Sequence, residues 1–160
     1  LGDVYKRQTI YSVSIERCQG YISALMENGY EIDRSMIIIP YEERKNGVYE
    51  NMKQLLSQEK KPDAVFCFND KVAVNVCRAV QDMGRKVSEE VGIIGYDNNI
   101  YASVNHPPIT TISFKSMEIG EKAAEILVKL IRGEKLNPNF NEYLYQPSIV
   151  ERESLSLIHI

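Results

Sequence analysis

The chain has 160 residues, 44% of them hydrophobic, and a formal net charge of −3, which suits the core of one domain or of part of a larger one. The negative charge excludes a broad basic surface that holds nucleic acid, so we expect any DNA contact to lie outside these residues. No apolar run approaches the ~18 residues of a membrane helix, and three cysteines without a Cys-x-x-Cys pair indicate reduced thiols in a cytoplasmic protein.

Both ends of the chain are interpreted as non-native. The segment "LGDVYKRQ" (1–8) has no signal-peptide layout and no helical or strand period. The apolar tail "SLSLIHI" (154–160) follows residues 151–153, where the recognisable pattern of the domain ends. We therefore expect residues 9–153 to be the natural part, with the native N-terminus missing.

Amphipathic helices alternate with short apolar strands along the rest of the chain. Helical spacing predicts helices at 15–26, 46–58, 70–83 and 115–132. Apolar runs predict strands at 36–40, 64–68 and 91–96, and two further strands are predicted at 110–113 and 142–150. In the last helix, the residues expected to face inward are Ile119, Ala123, Ile126, Leu127, Leu130 and Ile131. Continuous apolar strands between helices predict an α/β fold, with a parallel sheet that helices cover on both faces.

Polar side chains follow two of these strands at their carboxyl ends. "AVFCF" is followed by Asn69 and Asp70, and "VGIIGY" is followed by Asp97 and Asn98. In open parallel sheets ligands bind beyond this edge, and Asn69 and Asp97 project into one crevice there if the two strands are neighbours. The alternative is helix capping, which we expect for Asp70 at the start of its helix and which is also open to Asp97. Asn69 precedes that cap, so capping accounts for it less well.

The motifs of common enzymes are absent from the sequence. It has no glycine-rich phosphate or dinucleotide loop, no Gly-x-Ser-x-Gly elbow and no cluster of metal ligands. Of the two histidines, His106 lies beside two prolines and His159 lies in the C-terminal tail. We therefore predict no catalytic residue, no metal and no cofactor. Carboxylate and amide groups beside an arginine suit the hydroxyls of a polyol, which indicates a binding site.

Residues 62–133 resemble the effector-binding domain of the LacI/GalR transcriptional repressors. The shared features are a proline before the strand, "ND" at 69–70, "GYD" at 95–97 and "PPITTI" at 107–112. Upstream, an Arg-x-x-Gly step at Arg17 and Gly20 is similar to the family's helix opening, so the resemblance covers about residues 12–153. Arabinose-type repressors, which carry a GntR-type head, fit equally well.

The resemblance implies a type I periplasmic-binding-protein-like domain of two lobes. Residues 9–153 then hold most of the C-terminal lobe, and 115–132 belong to the other lobe. The DNA-binding domain and most of the N-terminal lobe are missing, so DNA is reached only through a missing N-terminal domain. The family also implies a homodimer, and we nominate the helices at 46–58 and 70–83 for its contact. Their apolar stripe includes Val72 and Val76, although the whole stripe could equally be buried within the chain.

The resemblance also implies that Arg17, Asn69 and Asp97 line a sugar pocket, in which Asp97 lacks a protein partner because it binds a ligand hydroxyl. Gly95 then lets neighbouring backbone or the ligand come close. We nominate Tyr41 as the aromatic residue that stacks on the sugar. Two alternatives remain: a sugar-binding protein of an uptake system, which shares the fold, and a phosphoryl-accepting receiver domain with Lys115 as its late lysine.

Overall fold

The computed structural model describes residues 2–38, 47–135 and 144–156, with side chains from residue 15 onward. The elements in chain order are α1 (Gly2–Glu27), a 3-10 helix (Arg34–Met36), α2 (Gly47–Leu56), β1 (Ala64–Phe66), α3 (Asp70–Asp82), β2 (Gly92–Tyr96), α4 (Ile100–Val104), β3 (Thr110–Ser113), α5 (Ser116–Ile131) and β4 (Ser148–Val150). Tyr41 lies outside the described residues.

The four strands form one sheet in the order β1-β2-β3-β4. Strand β2 pairs in parallel with both β1 and β3, which confirms the predicted α/β fold. The last strand differs from the prediction, because β4 runs antiparallel to β3 and begins only at Ser148. Pro147 accounts for the late start, since proline has no backbone N–H to donate to a neighbouring strand.

The strand register divides the sheet into two different faces. The packed face carries Val65, Ile93, Gly95 and Thr111, and helix α3 lies against it. The aromatic face carries Phe66, Ile94, Tyr96 and Ile112. Helix α1 reaches the aromatic face through Tyr21, whose ring stacks on that of Phe66 with 6.2 Å between the centroids.

The hydrophobic core lies on the packed face, between the sheet and helices α2 and α3. Its fully buried residues include Leu56, Val80, Ile93 and Ile109, with less than 2% of their surface exposed. The apolar stripe that was nominated for a dimer contact belongs to this core, since Ala73, Val76 and Cys77 are buried and Val72 is half-buried. Most of the stripe is therefore buried within the chain.

The cysteines are all free thiols within the described structure. Cys67 and Cys77 are buried, and Cys18 is half-buried on α1. Burial, aided by the nearby charge of Asp70, raises the pKa of the Cys67 thiol well above its usual range. Burial also raises the pKa of Cys77. Both thiols are thus kept protonated in the core.

Helix α1 begins far earlier than the sequence predicted. It runs unbroken from Gly2, through the segment 1–8 in which no helical period was recognised. No proline interrupts residues 2–27, and extending a helix costs much less than starting one. The helix predicted at 15–26 therefore continues backwards along the chain.

The strand predicted at 36–40 is also wrong where it can be compared with the structure. Met36 ends the 3-10 helix, and Ile37 and Ile38 lie outside any strand, while 39–40 lie outside the described residues. The Asp33 carboxylate accepts hydrogen bonds from the Ser35 backbone N–H at 3.0 Å and from its hydroxyl at 2.6 Å. Such local bonds give the backbone an alternative to a strand ladder.

Helix α5 buries none of its side chains. Its apolar residues were expected to face inward, but Leu127 is 58% exposed and Ile131 is 76% exposed. The predicted helix is confirmed, but the predicted burial of its apolar side is wrong, because no other described element packs along this helix.

The chain remains packed beyond residue 153. Ser154 was assigned to the non-native tail, yet it is fully buried. Its hydroxyl donates to the Ile93 carbonyl at 2.6 Å and accepts from the Thr110 N–H at 2.8 Å. Ser154 therefore closes the end of the packed face.

Across the described ranges, no helix combines the length and the apolar character needed to cross a membrane.

Candidate ligand-binding site

Helix α1 places Arg17 over the carboxyl edge of the sheet. Its guanidinium carbon lies 3.8 Å from the centroid of the Tyr96 ring and 4.6 Å from that of Phe68. One guanidinium nitrogen, Nη1, donates to the Phe68 carbonyl. The side chain is only 16% exposed, so it is held in place by rings on two neighbouring strand ends.

Asp97 pairs with this arginine. Arg17 Nη2 donates to Asp97 Oδ1 at 3.3 Å, across 80 residues of sequence. The expectation that Asp97 has no protein partner is thus wrong, and α1 supplies the partner that the local sequence lacks. The Asp97 side chain is 43% exposed, and its second oxygen accepts no hydrogen bond from the described residues. A pair this exposed stabilises the fold by about 0–1 kcal/mol.

Asn69, rather than Asp70, caps helix α3. Its backbone is extended, as a cap requires, and its Oδ1 accepts from the Val72 N–H at 2.9 Å. The predicted cap is therefore wrong by one residue, and the reason given for leaving Asn69 free no longer holds. Its acceptor oxygen is occupied, so what it still offers a ligand is the Nδ2 donor, which bonds to no described residue.

Asp97 does not cap helix α4 either. The cap is Asn99, whose Oδ1 accepts from the Tyr101 N–H at 2.7 Å. Asp97 and Asn98 form the turn before it, with φ values of 99° and 49° in the left-handed region. This conformation is uncommon for residues that carry a Cβ atom.

Gly95 makes room for a side chain rather than for a ligand. A Cβ atom at this position would lie 2.2 Å from Asp70 Oδ1 and 3.4 Å from the Ala73 Cβ. The expectation of a close approach was right, but the group that approaches is the fully buried Asp70 carboxylate from α3.

Asn98 is bound to the segment that follows the last strand. Its Oδ1 accepts from Arg152 Nη2 at 2.8 Å, and its Nδ2 donates to Ser113 Oγ at 3.4 Å. Arg152 also donates to the Ile109 carbonyl at 2.8 Å. The turn that carries Asp97 is thus fastened to both β3 and the segment after β4.

An open cleft of about 550 Å³ lies between α1 and the aromatic face. Its apolar lining consists of the rings of Tyr21, Phe66, Tyr96 and Phe114. Arg17 lines the cleft and also pairs with Asp97, whereas Asn69 and Asp97 do not line the cleft. Sequence reasoning missed these rings and nominated only Tyr41 for stacking. The available signal was the position of Phe68 and Tyr96, each directly before a polar residue at a strand end.

The described residues contain no cluster of three or more His, Cys, Asp or Glu side chains that could hold a metal ion.

The family comparison agrees with this architecture. Residues 4–155 match the family profile described as periplasmic binding protein-like domain. That match includes most of segment 1–8 and reaches beyond Ser154.

Similar proteins of known name are transcription repressors. The chain is 33% identical over 144 residues to the ribose operon repressor of Haemophilus influenzae, covering 90% of the chain and 42% of that protein. It is 34% identical over 145 residues to the transcriptional repressor PurR of Vibrio atlanticus, covering 91% of the chain and 42% of that protein. The chain thus spans less than half the length of these relatives. They are named as repressors and not as enzymes, in agreement with the prediction of a binding domain.

Solved structures of regulators have the same fold. A LacI-type transcription regulator from Bifidobacterium animalis superposes with a TM-score of 0.79 at 28% identity, covering 91% of this chain and 51% of that one. The regulator CelR in complex with cellobiose superposes with a TM-score of 0.74 at 30% identity, covering 88% and 42%. The chain belongs to the periplasmic binding protein-like domain family, and its relatives are LacI-type repressors.

Proposed function

We propose that the chain is the effector-sensing part of a bacterial transcription repressor and that its effector is a small sugar-type molecule. The observation that carries this proposal is the Arg17–Asp97 pair at the carboxyl edge of a parallel sheet. The guanidinium of Arg17 lies against the rings of Phe68 and Tyr96. Ligands of open α/β sheets bind at this edge. The relatives named for ribose and cellobiose support the choice of a sugar.

The free groups at this edge complement a polyol. The second oxygen of Asp97 accepts from a ligand hydroxyl, while Asn69 Nδ2 and the Arg17 guanidinium donate to ring or hydroxyl oxygens. A hydroxyl that binds Asp97 also competes for Arg17, because both groups are already paired at 3.3 Å. Ligand binding therefore rearranges the contact between α1 and β2.

Repression follows if this rearrangement reaches a DNA-binding domain outside the chain. Helix α5 exposes its apolar residues, as expected if 115–132 pack in a second lobe that closes on the ligand. A coupling of about 1–3 kcal/mol between effector and DNA is typical of such regulators. The protein then acts in the cytoplasm, where its DNA is.

A homodimer is part of the same proposal. The nominated stripe on α3 is buried, so the contact needs another surface. The exposed residues of α4 offer one, since Ile100, Tyr101 and Val104 are 54–69% exposed. Sedimentation of the intact protein at micromolar concentration as a monomer would contradict this part.

The two alternative functions have less support. A sugar-binding protein of an uptake system shares the fold, but the relatives reported above are repressors. A receiver domain needs a free acidic pair near Lys115, whereas Asp70 is fully buried and bound by its neighbours.

One observation favours a second class of effector. The aromatic lining of the cleft also suits a flat heteroaromatic ring, because aromatic side chains stack on such rings. The binding test therefore includes both classes.

The test is calorimetric titration of the intact protein with D-ribose, D-glucose, cellobiose, hypoxanthine and guanine. We expect a sugar to bind, and Asp97→Asn to weaken that binding by roughly ten- to a hundredfold, the effect of losing one charge-assisted hydrogen bond. The matched control is Asp63→Asn, which removes an exposed carboxylate before the opposite end of β1 and should leave the affinity unchanged. Tighter binding of a purine base than of any sugar would replace the sugar by the aromatic class. Unchanged affinity in Asp97→Asn would remove Asp97 from the site.

A further inference from the structure

A fully buried carboxylate lies directly beneath the turn that carries Asp97. Asp70 is the first residue of α3 and has no exposed surface. Its Oδ1 accepts from the Thr111 hydroxyl at 2.6 Å, and its Oδ2 accepts from the Asn99 backbone N–H at 2.7 Å. Both oxygens thus accept hydrogen bonds within the protein, and Asp70 is not among the residues proposed above to contact the ligand.

The turn above it is held at three successive backbone N–H groups. That of Asp97 donates to the Ile112 carbonyl at 2.9 Å, and that of Asn98 donates to Thr111 Oγ1 at 3.3 Å. The third belongs to Asn99 and binds Asp70. Left-handed backbone at two consecutive residues with Cβ atoms persists only when surrounding contacts enforce it. Two of the three contacts here depend on Asp70 or on the Thr111 side chain that it binds.

The sheet has a gap that admits this carboxylate. Gly95 precedes the turn by two residues, and any Cβ atom there would overlap with Asp70 Oδ1. A buried charge needs hydrogen-bond partners, and here each oxygen has one. The gap, the charge and its two donors form a single arrangement beneath the turn.

We propose that Asp70 is a positioning residue for effector binding. It holds the 97–99 turn in its left-handed form and so keeps the Asp97 carboxylate next to Arg17. The effect on the effector rests on the proposed function, because Asp70 reaches it only through Asp97. The effect on the turn itself does not depend on which ligand binds.

The first test measures the turn without any ligand, by amide hydrogen exchange in the intact protein. Asp70→Asn keeps the shape but replaces a charged acceptor with a neutral one, which makes a hydrogen bond roughly half as strong. We expect the protection of the Asn99 amide to fall at least tenfold beyond the change in global stability. Val80→Ala is the control, since it perturbs another fully buried side chain of α3, ten residues further along the helix from Asp70. Equal loss of protection in the two variants would overturn the proposal.

A matched pair at the partner residue sharpens this test. Thr111→Val removes the hydroxyl at nearly constant shape and should reproduce the exchange pattern of Asp70→Asn. Thr111→Ser keeps the hydroxyl and should restore protection of both the Asn98 and Asn99 amides. A turn that stays protected in Thr111→Val would show that the hydroxyl does not matter, and would overturn the role given to this pair.

The second test is a double-mutant cycle, with affinity measured by titration with D-ribose, D-glucose and cellobiose. Asp70→Asn should weaken binding of the best of these sugars about tenfold, and by less than twofold once Asp97→Asn is present. If Asp97→Asn weakens binding and Asp70→Asn does not, the positioning role is wrong while the sugar site stands. If Asp97→Asn changes nothing, the sugar site is wrong, and hydrogen exchange still decides whether Asp70 holds the turn.

Discussion

The two faces of the sheet differ in how completely their polar groups and side chains are enclosed. On the packed face, the side chains of Asp70, Thr111 and Ser154 are fully buried, and each is hydrogen-bonded. On the aromatic face, the rings of Phe66 and Tyr96 and the side chains of Ile94 and Ile112 are only half-buried. The candidate site lies at the edge between them.

This difference separates stability from binding. Burying polar groups with all partners in place makes the packed face rigid, and any change there leaves an unsatisfied group. The aromatic face keeps Arg17 and Asp97 partly in water, so their pairing contributes little to stability and can be exchanged for contacts with a ligand. One sheet can thus hold a fixed turn on one side and an adaptable contact on the other.

The largest effect on the free energy of unfolding is expected when alanine replaces a glycine on the packed face, and the comparison is the same substitution in α1, on the side of the aromatic face. Gly95→Ala places a Cβ atom 2.2 Å from Asp70 Oδ1, so the buried carboxylate must move and lose its bonds. We expect the free energy of unfolding to fall by roughly 3 kcal/mol or more. Gly20→Ala, inside α1 with nothing within 4 Å, should raise it by about 0.5–1 kcal/mol. Urea unfolding of the two variants measures both, and equal stabilities would refute the division of the faces.

A smaller loss is expected at the end of the packed face. Ser154→Ala leaves the Ile93 carbonyl and the Thr110 N–H without their buried partner. The free energy of unfolding should fall by about 1–3 kcal/mol. Ser103→Ala is the control, because this exposed hydroxyl bonds only within α4 and its loss should stay within about 0.5 kcal/mol. If Ser154→Ala behaves like the control, residue 154 adds nothing to the packed part of the chain.

Much of the fold could be predicted because the three parallel strands and three of the helices carry strong local signals. Uninterrupted apolar runs located β1 and β2, the strand-like run after the Pro-Pro pair located β3, and helical spacing located α2, α3 and α5. One failure has a local cause and another depends on distant parts of the chain. The 3-10 helix before Ile37 depends on one Asp33 side chain, and the exposure of α5 depends on which other segments are present to cover it.

The site was predicted in part for the same reason. Strand ends in a parallel sheet indicated where Asn69 and Asp97 should lie, while the sequence alone carried no signal that Arg17 pairs with Asp97 across 80 residues. The cap was misassigned because Asn69 and Asp70 are equally good capping residues, and only backbone geometry chooses between them. That choice turned Asp70 inward, a role that sequence reasoning did not consider.

On the aromatic face, a moderate effect is expected from changing the shape of the arginine. Arg17→Lys keeps the positive charge but loses the planar group between the Phe68 and Tyr96 rings. We expect the free energy of unfolding to fall by about 1 kcal/mol, the scale of a cation–π contact at a partly exposed site. Arg34→Lys, at an exposed position of the 3-10 helix, is the control and should change nothing measurable. A loss above about 3 kcal/mol would place Arg17 with the packed face instead.

The smallest effect is expected on helix α5, which belongs to neither face. Leu127→Gln replaces a side chain that is 58% exposed, so the free energy of unfolding of this chain should change by less than about 0.5 kcal/mol. The intact protein should respond differently if 115–132 pack in a second lobe. Burying a leucine side chain stabilises by about 1.5–3 kcal/mol, and glutamine forfeits most of that.

The same substitution therefore has two expected outcomes, and the difference between them measures how far α5 is covered. Glu121→Gln on the same helix is the control, because it exchanges one exposed polar side chain for another and should be neutral in both settings. Thermal unfolding of the chain and of the intact protein, each with both variants, completes the comparison. An equally small effect of Leu127→Gln in the intact protein would mean that α5 stays exposed there, which would remove the assignment of 115–132 to a second lobe.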